Sequence, residues 1–172
     1  PSQFDYASLH EWSVANRSEF WQSVWDFADI VGDRGSVIVA DEHRFPGTRW
    51  FPEARLNYAE NLLRYDDDRV ALVAIAEKAE RRTLTYRELR VAVARVAADL
   101  AERGVGPGDR VAAWAPNVPE VVIWALAALS IGAVVSTASP DFAPAGVIDR
   151  FGQITPRAVS YTHLRAHETV VY

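Results

Sequence analysis

The chain has 172 residues, 49% hydrophobic and 24% charged, which fits a globular domain with a core and excludes a disordered segment. Its net charge of −5 comes with no basic stripe, which argues against a nucleic-acid partner. Cysteine is absent, so disulfides, thiolate metal sites and a cysteine nucleophile are excluded.

Seventeen arginines stand against one lysine, Lys78, so any chemistry that needs a lysine has a single candidate. Residues 118–135 come nearest to a membrane span. Their alanine content, Glu120 and the flanking strand patterns point to a core helix, and no membrane partner is expected. Residues 1–20 lack a basic start followed by an apolar block, so a cytoplasmic location is expected.

Residues 7–31 read as two helices. Ser18 is the expected N-cap of the second, in which Phe20, Trp21, Val24, Trp25 and Phe27 recur at three- and four-residue spacing. This aromatic stripe fits a docked helix better than a cofactor-stacking box. Gly32, Gly35, Pro46, Gly47 and Pro52 punctuate an extended arm with short strands at 36–40 and 49–51. Asn57 can cap a short helix over 58–63. Asp66, Asp67 and Asp68 then form either a solvated turn, the commoner outcome, or a metal site.

Residues 70–76 are β-branched and apolar, hence a strand, and a charged turn over 77–82 leads back through Thr83 and Leu84. Thr85 and Glu88 make a capping box. The helix it opens carries Leu89, Val93, Val96 and Leu100 on one face and stops at Gly104. Gly104, Gly106 and Gly108 follow a helix and precede a strand, the reverse of a dinucleotide fingerprint.

Residues 110–115 read as a buried strand between turns. Residues 118–131 read as a buried helix opened by Pro119 and Glu120, and residues 133–136 as a second strand. Together they predict a βαβ unit with parallel strands and a right-handed crossover. Another helix is expected over 143–153, stopped by Thr155 and Pro156, and Arg157, Ala158 and Val159 begin one more strand. After Val159 the apolar period is lost. His163 and His167 have the i, i+4 spacing of a helical metal pair but lack a third ligand nearby.

Several motifs together resemble the adenylate-forming acyl-CoA synthetases. They are Thr83-Leu84-Thr85-Tyr86-Arg87-Glu88-Leu89, Gly106-Pro107-Gly108-Asp109-Arg110-Val111-Ala112, Pro116-Asn117 with Pro119-Glu120, and Gly132-Ala133-Val134. Arg49-Trp50-Phe51-Pro52 and Arg55-Leu56-Asn57-Tyr58-Ala59-Glu60-Asn61-Leu62 resemble the N-terminal segment of the acetyl-CoA synthetase branch. Ser139-Pro140-Asp141-Phe142 and Asp149-Arg150-Phe151-Gly152-Gln153-Ile154 are most similar to the members that act on acetoacetate.

The resemblance implies an α/β fold: a helical and extended N-terminal arm, then βαβ units of a parallel sheet forming an incomplete part of a large adenylate-forming domain. It divides the chain into an N-terminal segment over 1–65 and the front of the AMP-binding domain over 66–159. Residues 160–172 resemble translated sequencing adapter and are expected to be a non-native tail outside the fold. The implied parent is an AMP-forming acid–CoA ligase with acetoacetate, ATP, CoA and Mg2+ as small-molecule partners and cofactors. The family's Ser/Thr/Gly-rich loop ending in lysine, its ribose-binding acid and its mobile lysine have no counterpart in these residues, so no catalytic residue is expected here. Ser139, Pro140, Asp141 and Phe142 are the implied CoA-contact residues. A non-catalytic CoA- or nucleotide-binding module, a ligase for another short-chain acid and a structural remnant remain alternatives.

Overall fold

The structure, a computed structural model, describes residues 5–75, 81–162 and 169–171, and for 162 and 169–171 the backbone alone. Lys78, most of the expected charged turn and the His163–His167 pair lie outside the described residues. The chain divides into two units, Pro1–Asn57 and Tyr58–Tyr172.

In the first unit, α1 (Tyr6–Ala15) is capped by Asp5, whose Oδ1 accepts the Ser8 N–H at 2.8 Å. The second helix, α2 (Arg17–Phe27), starts one residue before Ser18, and its N-cap is Asn16. The expected Ser18 cap is therefore corrected. Asn16 closes α1 and opens α2 at once, and its side-chain amide donates backwards to the Trp12 carbonyl at 3.2 Å. The arm forms two short antiparallel ladders: β1 (Gly32–Asp33) with β4 (Arg55–Leu56), and β2 (Val39–Ala40) with β3 (Arg49–Trp50). The aromatic stripe of α2 packs on this arm, Trp21 against Trp50 at 5.8 Å and Trp25 against Phe51 at 5.0 Å between centroids. Those contacts give the stripe a packing role. The Glu53 carboxylate accepts the Ser36 N–H at 2.8 Å and the Ser36 hydroxyl at 2.9 Å, which ties two distant parts of the arm together.

The second unit opens with α3 (Tyr58–Leu62) and the antiparallel pair β5 (Val70–Ala74) and β6 (Arg82–Thr85). The three carboxylates before β5 are taken up by arginines: Asp67 by Arg69 at 2.7 Å, Asp68 by Arg87 at 3.1 Å and Asp66 by Arg87 at 3.7 Å. Helix α4 (Tyr86–Glu102) begins with both halves of the capping box. The Thr85 hydroxyl accepts the Glu88 N–H at 3.2 Å, and the Glu88 carboxylate accepts the Thr85 N–H at 2.8 Å. Its apolar face buries Leu89, Val93 and Leu100, with Val96 partly buried beside them. At its end Gly104 takes φ +80°, a conformation glycine adopts without a Cβ penalty. The glycine loop that follows is structural. The Asp109 carboxylate accepts the Gly106 N–H at 2.9 Å, and the Gly108 N–H donates to the Gly132 carbonyl at 2.9 Å.

The sheet runs in the order β10 (Thr169–Val171), β9 (Ala158–Thr162), β7 (Arg110–Trp114) and β8 (Val134–Ala138). Strand β7 runs parallel to β8 and to β9. Helix α5 (Pro119–Ser130) links β7 to β8, and α6 (Pro144–Ile154) links β8 to β9. This is the expected parallel βαβ unit with a second one added. Successive residues of β7 point to opposite faces. Val111 and Ala113 join the cluster made by α4 and α5, whereas Ala112 and Trp114 join Val147 and Phe151 of α6. The two crossover helices therefore lie on opposite faces of one sheet, as in doubly wound folds. Leu100 and Val111 are fully buried in the larger cluster.

The expectation that the fold stops at Val159 is corrected. Strand β9 continues to Thr162, with Ser160 opposite Ala113 and Tyr161 opposite Trp114, and β10 (Thr169–Val171) pairs antiparallel with β9. Main-chain ladder bonds do not require an apolar side chain, so loss of the apolar period did not mark the end of the strand.

The capping box yields a stability prediction. Thr85→Ala should cost about 1 kcal/mol, a fall in Tm of about 2–4 °C for a chain of this size. The Thr85 N–H, then its hydroxyl, holds the Glu88 carboxyl below the ordinary glutamate range. A lowered folded pKa gives stability that is present above the unfolded value and lost as pH falls through the folded one. Glu88→Gln should therefore lower Tm at pH 7, and its difference from the parent chain should shrink on acidification through that lowered value. Melting curves across pH check both.

Candidate cofactor-binding site

The site is set by where the parallel strands end. β7 and β8 are neighbours in register, so their carboxyl ends lie side by side, and the Ala115 N–H donates to the Ala138 carbonyl at 3.3 Å. From these two ends the chain departs to opposite faces, into α5 and into α6. Such a divergence opens a crevice outside the strand ends, where open α/β sheets bind ligands. A cleft of about 240 Å³ lies there, lined by Ala115, Pro116, Asn117, Val121, Thr137, Ala138, Ser139 and Pro140.

Both helices that leave this end begin with proline at the first turn, and neither has a side-chain hydrogen bond to its N-terminus. Val121 and Gly146 in their first turns donate to the Val118 and Ala143 carbonyls at 3.1 and 2.9 Å, and the helix dipoles favour negative charge at this end of the sheet. The walls combine apolar carbons (Ala115, Pro116, Val121, Ala138, Pro140) with the polar groups of Asn117, Thr137 and Ser139.

The structure divides the four expected contact residues. Ser139 and Pro140 line the cleft, whereas Asp141 and Phe142 do not. The Ser139 hydroxyl donates to Asp141 Oδ2 at 3.0 Å and accepts the Asp141 N–H at 3.3 Å. The Ser139 carbonyl accepts the Phe142 N–H at 3.2 Å and the Trp114 indole N–H at 3.1 Å. The helix cap of α6 is Ala143, so Ser139 shapes the turn before the helix and does not cap it. The Phe142 ring lies under the Arg150 guanidinium, 4.2 Å from its carbon, a cation–π contact that fixes the loop to α6.

Asn117 and Thr137 are the polar wall residues that the sequence reading passed over. Pro116 and Asn117 were legible as a turn after a strand. That this turn and the one at Ser139 share a crevice depends on strand register and on the faces the two helices take.

The carboxylates held below their ordinary range are Asp5 (by the Ser8 N–H), Glu53 (by the Ser36 N–H), Asp67 (by Arg69) and Glu88 (by the Thr85 N–H). They serve caps, turns and ion pairs, and none lines the cleft. The described residues around the cleft can bind and orient a ligand. They include no lysine, histidine or carboxylate to move a proton.

A mostly parallel open sheet with a crevice where its crossovers diverge is the architecture of α/β proteins that bind ligands at their strand ends. The family model for AMP-binding enzymes matches residues 59–170, and the model for the acetyl-coenzyme A synthetase N-terminus matches residues 6–62. The chain belongs to the AMP-binding enzyme family. It is 46% identical over 153 residues to an acetoacetyl-coenzyme A synthetase of Rhizobium meliloti (strain 1021), covering 89% of this chain and 24% of that protein. It is 36% identical over 160 residues to a malonamoyl-CoA synthetase of Penicillium aethiopicum, covering 88% of this chain and 22% of that protein. Among solved structures, acetoacetyl-CoA synthetase from Streptomyces lividans superposes with a TM-score of 0.84 at 38% identity, covering 95% of this chain and 26% of that one. The chain thus spans about a quarter of the length of these relatives.

The loop geometry carries a prediction. Trp114→Phe keeps the ring against α6 and removes the indole donor to Ser139. Loss of one such bond costs about 1 kcal/mol. Tm should fall by about 2–4 °C, and the Phe142 amide should exchange its hydrogen faster than in the parent chain.

Proposed function

We propose that this chain is the N-terminal part of an AMP-forming acid–CoA ligase that makes acetoacetyl-CoA from acetoacetate, ATP and CoA in the cytoplasm, and that these 172 residues alone do not catalyse it. The observation that carries the reading is the 46% identity to the Rhizobium meliloti acetoacetyl-coenzyme A synthetase across nearly the whole chain. The cleft at the ends of β7 and β8 supports it, since its position and mixed lining suit part of a cofactor.

The residues present fit a fraction of the machinery. A cleft of about 240 Å³ accommodates a short stretch of a flexible arm and not a whole CoA. Ser139 and Pro140 would meet CoA there, with Asn117 and Thr137 supplying further polar contacts. Asp141 is a poor neighbour for a phosphate but is held by Ser139, and Phe142 is held by Arg150. ATP with Mg2+ would supply the leaving pyrophosphate that activates the acid. A glycine-rich loop that ends in a lysine, which stabilises that charge in a phosphoryl site, does not occur in this sequence, since the loop at Gly104–Gly108 is followed by Asp109.

Residues 160–172 are read as a non-native end to the chain. Ser160 stands at the break in apolar pattern and is the buried polar residue among those described, 8% exposed. A strand covered on both faces ordinarily continues apolar there.

Two experiments test the proposal. The purified chain with ATP, magnesium and acetoacetate should release no pyrophosphate above a no-protein control, and turnover that survives repurification would refute its inactivity. Residues 1–159 joined to the remainder of the Streptomyces lividans enzyme should exchange labelled pyrophosphate into ATP when acetoacetate is present. kcat/KM for acetoacetate should exceed that for acetate by at least about a hundredfold, or about 2.7 kcal/mol. Equal rates would refute the acid and leave the ligase reading standing.

A further inference from the structure

Helices α4 and α5 pack on the same face of the sheet, and a groove of about 370 Å³ is lined by both. Arg95 and Val96 of α4 stand on one side, Ile123 and Trp124 of α5 on the other. Each helix contributes residues at i, i+3 and i+4 spacing, Ala92 with Arg95 and Val96, and Glu120 with Ile123 and Trp124, so each presents one face to the groove. Ser160 of β9 also lines it. Ala158 lies in the cluster made by α4 and α5, and alternation along the strand turns Ser160 to the same face. Ala115 and Val121 are shared with the cleft at the ends of β7 and β8, so the two spaces adjoin.

The polar groups of this groove are donors in want of an acceptor. Trp124 is 5% exposed, and its indole N–H meets no acceptor among the described residues. Buried donors are ordinarily hydrogen-bonded, and an indole can only donate. Arg95 has no ion pair or hydrogen bond among the described residues, and a guanidinium also only donates. The Ser160 hydroxyl, on a buried residue, is likewise without a partner. The one carboxylate that lines the groove, Glu120, is taken by Arg82 at 3.1 Å.

These groups state the chemistry of what they would hold. Two donor-only groups, one of them a fixed positive charge, call for an anionic acceptor. The remaining lining is aliphatic, with Ala92, Val96, Val121 and Ile123. Such walls oppose a strongly hydrated, multiply charged phosphate and favour an apolar chain with one charged end. The volume falls within the range of about 300–1,000 Å³ usual for small-molecule sites.

We propose that the groove between α4 and α5 binds a small aliphatic monocarboxylate. Its carboxylate accepts from the Trp124 indole and from Arg95, and its chain lies along Val96, Val121 and Ile123. The two residues that define the site precede Val159, so it does not depend on how residues 160–172 are read. Nor does it depend on the ligase reading, because binding there requires no chemistry.

Octanoate serves as the probe. The 172-residue chain is titrated with it while the tryptophan indole N–H signals are followed by NMR, and Trp124→Phe identifies the signal of that residue. The Trp124 signal should move and saturate. Octanol, with the same chain and a neutral head, should bind at least about tenfold more weakly. Arg95 is exposed, so Arg95→Met keeps the stem and the fold, and it should bring the affinity for octanoate down to that for octanol. A Trp124 signal that stays in place overturns the proposal, and so do equal affinities for octanoate and octanol or an Arg95→Met chain that binds octanoate as before. Movement of the Trp124 signal with protein concentration alone also overturns it, since a second copy would then fill the groove.

Discussion

The second unit depends on the two-sided burial of β7. Its five residues put Val111 and Ala113 against α4 and α5, and Ala112 and Trp114 against α6. Its three central residues are buried, Trp114 at its end is partly buried, and Arg110 at its exposed start reaches the Ile154 carbonyl at 3.0 Å. Burial of apolar surface stabilises by about 25 cal/mol per Å², so a polar residue at any of the three central positions would lose more than a surface ion pair returns. The same alternation obliges the two crossovers to separate, and their separation opens the cleft. Core and site are thus consequences of one strand.

The surface is held differently. Ion pairs such as Arg69–Asp67, Arg82–Glu120 and Arg103–Asp99 are all substantially solvent-exposed. Pairs of that kind contribute about 0–1 kcal/mol each. Their role is local ordering: Arg87 gathers Asp66 and Asp68 and sets the entry to β5. An arginine-rich chain suits this, because the guanidinium keeps its charge and presents several donors in a fixed plane.

Much of the second unit was legible in the sequence because its signals are local. Thr85 and Glu88, the face of Leu89, Val93 and Leu100, and the run around Trp124 each encode one element within a few turns of chain. The first unit was less legible. The cap was expected at Ser18, whereas Asn16 takes that place because it closes one helix and opens the next. The end of β9 was misjudged because ladder bonds with β7 carried the strand past Val159 without apolar side chains. At the site, resemblance singled out Ser139 and Pro140 as contact residues, whereas Asn117 stood only within a motif and Thr137 carried no signal. Their convergence depends on the register of Ala113 with Thr137 and on the opposed faces of α5 and α6. Pairings between residues far apart in sequence leave no local pattern.

The tie between the Trp114 indole and the Ser139 carbonyl joins residues only 25 positions apart, one at the end of β7 and the other just past the end of β8, the next strand in the chain. Closing a loop of that length costs little entropy compared with the long-range pairings that slow β-rich folding. The half-cleft can therefore assemble as soon as residues 110–140 are free to fold, because every contact that shapes it lies within that stretch and the helix it leads into.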